Sequence, residues 1–163
     1  MQRGGSKHRR QEEQPEPARA PLNGSSHFEF TISSINEQSQ EVQSKIMHDV
    51  HRRGFNSQTI FAIRLSLEEA MMNAIKHGNR LDPRKKVYIA ATVNSRQAEI
   101  IVEDEGPGFH RHAVPDPTLP ENIEKCSGRG IHLIEAYMDE VQWSHGGRRL
   151  RMIKRNEPDV HPR

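Results

Sequence analysis

Two alternating segments joined by a short polar turn constrain the fold of this chain more than any other feature. Every second residue is apolar in residues 87–93 and again in residues 98–102, and the polar sequence Asn-Ser-Arg lies between them at 94–96. Side chains along a strand point to opposite faces in turn, so each segment predicts a strand with one buried face. The short polar connection is typical of a hairpin turn. The sequence therefore predicts an antiparallel β-hairpin.

The remaining segments place helices and further strands around this hairpin. Helical apolar spacing ends at Gly54 in the first helix and at Gly78 in the second, whose predicted N-cap is Ser57. Gly130 opens a short third helix, and strands are predicted at 27–33 and in a hairpin around Gly146 and Gly147. The order β-α-α-β-β-loop-α-β-β predicts an α+β two-layer sandwich, with a mixed, mostly antiparallel sheet and helices packed on one face.

The first 26 residues differ from the rest of the chain in composition. They are rich in Pro, Gly, Ser, Gln and charged residues, and Leu22 is their only large aliphatic side chain beyond Met1. Such a segment buries too little apolar surface to offset the entropy lost on ordering. We therefore expect a disordered tail at 1–26, one folded domain at 27–156 and a flexible C-terminus at 157–163.

Charge and cysteine content exclude several classes of protein. The chain has 24 Lys/Arg and 22 Asp/Glu, of which five and three lie in the tail, so the rest of the chain is neutral. A neutral domain argues against direct nucleic-acid binding, which needs a basic face. Cys126 is the only cysteine, so no internal disulfide is expected and a reducing compartment is indicated. Without an apolar run long enough for a membrane span or a secretory signal, we expect a cytoplasmic protein.

The segment EEAMMNAIKHGN at 68–79 combines an apolar helix face with a polar one. Glu69 and Asn73 are four residues apart and share a face, which Lys76 and His77 continue one turn later. An amide oxygen suits a hard cation such as Mg²⁺, a nearby carboxylate can orient a hydroxyl or a water, and Lys76 and His77 can meet phosphate. The alternative is a polar helix face with no special role.

Glycine motifs follow at two later points in the sequence. Asp104 ends an apolar strand and begins the pattern D-x-G-x-G, with Gly106 and Gly108. A carboxylate there can accept a hydrogen bond from an exocyclic amine, and the glycines let the backbone approach a flat base; an ordinary Asp-Gly turn is the alternative. Gly128 and Gly130 then precede a helix, whose free N–H groups form a phosphate site. Simple helix capping is the alternative there.

The order of these motifs is more specific than any one of them. From about residue 28 to residue 155 the chain resembles the ATP-binding domain of DNA gyrase, the large heat-shock chaperone, MutL and sensor histidine kinases, known as the Bergerat fold. Within that superfamily it resembles the anti-sigma-factor serine/threonine kinases. The segment EEAMMNAIKHGN matches their N-box, EDEGPGF their first glycine box and SGRGIHLI their second.

The resemblance implies a role for each matching residue. Asn73 is expected to ligand Mg²⁺, and Glu69 to act as the catalytic base or orienting carboxylate. Asp104 is expected to contact adenine, with Gly106 and Gly108 shaping that wall, while residues 109–127 form a lid over ATP. The phosphate chain is expected to meet the remaining positions, which are Lys76, His77, Gly128, Arg129, Gly130 and Ile131.

The function implied by the resemblance is phosphoryl transfer from ATP-Mg to a serine or threonine of an antagonist protein. In such partner-switching systems the kinase is an anti-sigma factor that the unphosphorylated antagonist releases from its sigma factor. A homodimer is also expected. A rival hypothesis is a non-catalytic ATP- or ADP-binding module that sequesters a transcription factor.

Three further patterns bear on these hypotheses. Many relatives carry a Gly-Thr pair in the last hairpin, and its Thr helps to bind adenine through water. Here the segment is GGRRLRM, with Arg148 or Arg149 in that region.

A metal site using His110 and His112, with His48 and His51, falls short of the usual zinc spacings, so solvated histidines are favoured. Met71, Met72 and Trp143 are predicted to be packing residues.

Overall fold

The computed structural model of the protein describes residues 24–34, 36–109 and 129–157. Its strands and helices follow the predicted order. They are β1 (Ser26–Ser33), α1 (Asn36–Arg52), α2 (Ser57–Met72) with a π-helical turn (Asn73–Gly78), β2 (Lys86–Val93), β3 (Gln97–Asp104), α3 (Arg129–Tyr137), β4 (Glu140–Ser144) and β5 (Arg149–Arg155). A short 3₁₀ turn, His145–Gly147, joins β4 to β5.

The strands form one sheet in the order β1-β2-β3-β5-β4, and each neighbouring pair is antiparallel. The predicted hairpin is β2 and β3, in which Ile89 lies opposite Val102. One face of the sheet packs against the helices. The core between the two layers includes Ile46, Val50, Ile63, Leu67, Ile75, Val87, Ile89, Ile100 and Met152, each 2% exposed or less. This arrangement confirms the predicted α+β sandwich.

Two helix boundaries differ from the sequence prediction. Asn56, rather than Ser57, is the N-cap of α2, because its side chain accepts a hydrogen bond from the Thr59 N–H at 2.7 Å. The second helix also does not stay α-helical to its end. The Asn79 N–H donates to the Ala74 carbonyl at 2.8 Å, an i to i−5 bond that widens the last turn into a π-helix.

The predicted tail and C-terminus fall largely outside the described residues. Strand β1 begins at Ser26, one residue earlier than predicted, and residues 1–23 and 158–163 are not described. The domain boundaries therefore remain predictions. In the part of the chain that the structure describes, no helix has both the length and the apolar character needed to cross a membrane.

Candidate functional site

One cavity of about 810 Å³ opens between the helix layer and the β3–β5–β4 side of the sheet. It is lined by residues from α2, its π-helical turn, β3, α3 and the β4–β5 turn. Most of the predicted site residues are among them: Glu69, Asn73, Lys76, His77, Asp104, Gly108, Arg129, Gly130 and Ile131. Asn73 and Asp104, which are 31 positions apart in the sequence, thus border the same hollow.

At the helix end of the cavity, Glu69 and Asn73 lie against the first turn of α3. A methyl group added at Gly130 would lie 3.3 Å from Asn73 Nδ2 and 3.4 Å from Asn73 Oδ1, and closer still to Glu69 Oε2. Because residue 130 has no side chain, α3 can begin directly beside these two polar groups. Lys76 and His77, both exposed, continue the same wall. The predicted polar face is therefore brought together as one surface.

A buried asparagine holds the end of the π-helical turn against the sheet, next to Asp104. Asn79 is 0% exposed, and its Nδ2 donates to Ser34 Oγ at 2.9 Å and to the Lys86 carbonyl at 2.8 Å. Its Oδ1 accepts from the Glu105 N–H at 2.8 Å. The side chain thus ties the end of the π-helical turn to β2 and to the start of the glycine turn after Asp104. No local sequence signal predicts this role of Asn79, which directly follows the predicted helix end at Gly78.

The other end of the cavity, called the strand end here, lies where β3 ends at Asp104. The Asp104 backbone N–H donates to the Arg148 carbonyl at 3.1 Å, and its Oδ1 accepts from the Gly106 N–H at 2.7 Å. Burial raises the pKa of this carboxyl above its ordinary value, although the Gly106 N–H and the positive charge of Arg148 act in the opposite direction. Among the described residues, Oδ2 has no hydrogen-bond partner. A ligand amine could therefore donate to it.

The glycines near Asp104 have different positions. Gly108 lines the cavity with a φ of 78°, a left-handed conformation that favours glycine. Gly106 is buried and does not line the cavity. A methyl group there would collide with the Gly78 carbonyl. Gly106 shapes the wall indirectly, by letting the turn pass close to the end of the π-helix.

Apolar cavity residues were largely missed from the sequence. Phe109 and Trp143 meet edge to face with ring centroids 4.8 Å apart, and Trp143, predicted as a packing residue, also packs against the core. The other apolar lining residues are Ala70, Met72, Ala74, Val102, Leu133 and Leu150. No local signal distinguishes these from ordinary core residues, since they come from five separate elements. Together they make part of the cavity suitable for a flat, weakly polar group.

The last hairpin separates two neighbouring arginines. Arg148 lines the cavity, whereas Arg149 lies on the opposite side of the sheet, where its Nη1 donates to Glu103 Oε2 at 2.7 Å. The sequence left open which of them occupies the position of the relatives' Gly-Thr pair. The structure assigns the cavity position to Arg148.

Several predicted features cannot be compared with the structure. Gly128 and all of the predicted lid except Phe109 lie outside the described residues, as do His110, His112 and Cys126. Among the residues that are described, no group of three or more His, Cys, Asp or Glu side chains is placed to hold a metal ion.

The cavity fits a magnesium ion held mainly by its nucleotide. Asn73 lines the cavity, and its amide oxygen is the kind of ligand that Mg²⁺ takes; the Nδ2 of the same side chain is buried without a hydrogen-bond partner in the described part of the chain. Glu69 adds a carboxylate, which lies beside Gly130 as Asn73 does. Mg²⁺ commonly takes one or two protein oxygens and fills its remaining positions with water and phosphate, which this small donor set allows.

The fold and the cavity together define an ATPase-type nucleotide-binding domain. Comparison with known families agrees: a family model described as the histidine kinase-like ATPase domain matches residues 32–154. The chain belongs to this family, which confirms the resemblance found in the motifs.

Individual relatives are named as serine-protein kinases or anti-sigma factors. The serine-protein kinase RsbW of Bacillus subtilis is 27% identical over 139 residues, covering 81% of this chain and 87% of the relative. The anti-sigma F factor of Shouchella clausii is 35% identical over 49% of this chain, and the match spans only 56% of that factor's length. The RsbU and RsbW domains of Rv1364c from Mycobacterium tuberculosis have a similar fold, with a TM-score of 0.54, 16% identity, and coverage of 81% of this chain and 32% of that one.

Proposed function

We propose that this protein is an ATP-Mg-dependent serine/threonine protein kinase that acts as an anti-sigma factor. The observation that carries the proposal is the single cavity bordered by Asp104 at one end and by Glu69 and Asn73 at the other. Phosphoryl transfer depends mainly on positioning and on neutralising charge, and both need these groups to face one ligand. The relatives named serine-protein kinase and anti-sigma factor support the same function.

The ligand is proposed to lie with its base at the strand end and its phosphates at the helix end. Asp104 accepts a hydrogen bond from the adenine amine, and Phe109 and Trp143 supply apolar surface near the base. Lys76 and His77 approach the phosphate chain from the π-helical turn. Arg129, Gly130 and Ile131, in the first turn of α3, approach it from the other side, where the positive end of the helix dipole favours anions. Gly128 is proposed to contribute to the same contact.

At the helix end of the cavity, the proposed phosphoryl transfer depends on two neighbouring side chains. Asn73 is the proposed magnesium ligand, and the bound ion would neutralise the phosphate charge during transfer. Glu69 is the proposed catalytic residue: from its position beside Gly130 it orients the attacking hydroxyl or accepts its proton. The substrate is proposed to be a serine or threonine of an antagonist protein, and the second partner a sigma factor. A homodimer belongs to the same proposal.

One observation favours a second candidate function. Arg148 borders the cavity where many relatives of this kind carry a Thr that helps to bind adenine. A changed base site is compatible with a module that binds ATP or ADP without transferring phosphate. Such a protein would sequester a transcription factor in a nucleotide-dependent conformation.

Transfer of label from γ-labelled ATP to a co-encoded antagonist protein distinguishes the two functions. We expect the parent to label the antagonist, and Glu69→Ala to bind ATP but to transfer little label. Glu68→Ala is the matched control, because Glu68 is exposed and does not border the cavity. Nucleotide binding by the parent without any labelled antagonist would instead support the non-catalytic module.

A further inference from the structure

Two main-chain hydrogen bonds hold Arg148 beside Asp104. Its carbonyl accepts the Asp104 N–H at 3.1 Å, and two residues before it the Gly146 carbonyl accepts the Phe109 N–H at 3.0 Å. The β4–β5 turn and the glycine turn after β3 are therefore joined at two points. Because both bonds involve the main chain, they fix the position of residue 148 whatever its side chain.

The Arg148 side chain has a fixed stem and an available tip. Its Nε donates to the His145 carbonyl at 3.0 Å, and its Cγ would lie 3.4 Å from a methyl group added at Gly108. With the described residues it forms no ion pair, and its two terminal nitrogens make no hydrogen bond. Its charge nevertheless acts on Asp104, whose pKa it lowers in opposition to the larger effect of burial. The guanidinium is near the carboxylate without touching it.

A second set of contacts holds the same turn from the opposite face of the sheet. Glu103, the neighbour of Asp104, binds His145 Nδ1 through Oε1 at 2.6 Å and Arg149 Nη1 through Oε2 at 2.7 Å. His145 and Arg149, which flank Gly146, Gly147 and Arg148, are thus both bonded to β3 through Glu103. Arg148 is the arginine of this turn that lines the cavity.

The strand end of the cavity therefore offers a hydrogen-bond acceptor and a donor side by side. The edge of adenine carries the complementary pair: a donating 6-amino group, flanked by N1 on one side and N7 on the other, both of which accept. We propose that Arg148 is a specificity-determining residue that donates directly to one of these two ring nitrogens while Asp104 accepts from the amino group. The proposal rests on the proposed function, since it requires ATP to bind with its base at this end.

Nucleotides that lack one ring nitrogen test this contact. Binding of ATP, 1-deaza-ATP and 7-deaza-ATP would be measured by calorimetry for the parent, for Arg148→Met and for Arg151→Ala. Methionine keeps the unbranched stem against Gly108 but removes the donors. Arg151 is the matched control, because it lies three residues further along the chain, in β5, and pairs with Glu99 on the other face of the sheet.

We expect the parent to bind one of the two deaza nucleotides about five- to tenfold more weakly than ATP, the effect of a lost charge-assisted hydrogen bond at a partly exposed site. Arg148→Met should bind ATP more weakly by a similar factor and no longer distinguish that analogue from ATP. Arg151→Ala should behave like the parent.

Three results would overturn the inference alone, while leaving ATP binding established. They are equal parental affinity for all three nucleotides, unchanged discrimination in Arg148→Met, and an equal loss in Arg151→Ala, which would assign the effect to net charge. Absence of ATP binding by the parent would overturn the proposed function and the inference together.

Discussion

The two ends of the cavity are closed by different kinds of contact. At the strand end, backbone packs against backbone: methyl groups added at Gly106, Gly108 and Gly147 would collide with the carbonyls of Gly78, Gly146 and Phe109, respectively. At the helix end, the atoms nearest to a methyl group added at Gly130 are side-chain atoms of Glu69 and Asn73. A carbonyl moves only with its strand or turn, whereas a side-chain tip can rotate. The strand end is therefore preorganised and the helix end is adaptable.

The hydrogen bonds follow the same division. Asp104, Phe109 and Arg148 are connected through main-chain bonds, and Asn79 attaches the glycine turn to β2 with a fully buried side chain. By contrast, the Nδ2 atom of Asn73 is buried without a partner among the described residues. This difference suits a site that holds a rigid base at one end and reacting groups at the other, since the reacting groups change their contacts during transfer.

Alanine substitution of one glycine at each end of the cavity is expected to give the largest difference between the two ends. Gly106→Ala forces a methyl group into the Gly78 backbone, and we expect a loss of roughly 2 to 3 kcal/mol in the free energy of unfolding. Gly130→Ala should change it by less than about 1 kcal/mol, because Glu69 can rotate away and alanine favours a helix. Urea denaturation of both variants measures the difference. Equal destabilisation would refute the proposed division into a rigid and an adaptable end.

Asp104→Asn should separate ligand binding from stability at the strand end. Removing the charged acceptor is expected to weaken ATP binding by roughly 1.5 to 3 kcal/mol, or about ten- to a hundredfold, as measured by calorimetry. Glu99→Gln, on the same strand but paired with Arg151 on the outer face, is the control and should bind ATP normally. Parental affinity in Asp104→Asn would show that the adenine assignment is wrong.

The same variant carries a pH-dependent stability effect. Burial raises the pKa of Asp104 above its ordinary 3.8, so the ionised carboxylate is less favourable in the folded protein than in the unfolded one. Protonated Asp104 therefore contributes to the free energy of unfolding. This contribution is fully present below pH 3.8, the ordinary pKa, and is lost as the pH rises through the higher pKa of Asp104 in the folded protein. Unliganded Asp104→Asn should therefore be more stable than the parent at neutral pH, and this advantage should disappear in acid. Thermal unfolding at several pH values measures it.

The smallest expected effect concerns the metal at the helix end. Asn73→Ala should keep the fold but lose most of the increase in ATP affinity that Mg²⁺ gives the parent, an effect of roughly five- to tenfold. Asn94→Ala, in the β2–β3 turn, is the matched control and should respond to Mg²⁺ like the parent. Equal affinity with and without Mg²⁺ in the parent and in Asn73→Ala would exclude the proposed role.

Features that depend on local sequence were predicted well. Alternation identified the β2–β3 hairpin, and the spacing of Glu69, Asn73, Lys76 and His77 identified one helix face. The change to a π-helix at Asn73 was missed, because it depends on the Asn79 N–H reaching the Ala74 carbonyl while the Asn79 side chain is held by Ser34, Lys86 and Glu105. Those partners are distant in sequence, except for Lys86.

Local patterns suffice to predict the order of strands and helices and the three polar motifs, because periodicity and glycine positions act over a few residues. Which side chains share the cavity depends instead on the tertiary fold. Arg148 and Arg149 are adjacent and chemically identical, and they fall on opposite faces because the turn at His145–Gly147 sets the register of β5. Trp143 likewise becomes a cavity residue only when β4 pairs with β5. Contacts of this kind depend on the pairing of distant strands, which no single segment of the sequence encodes.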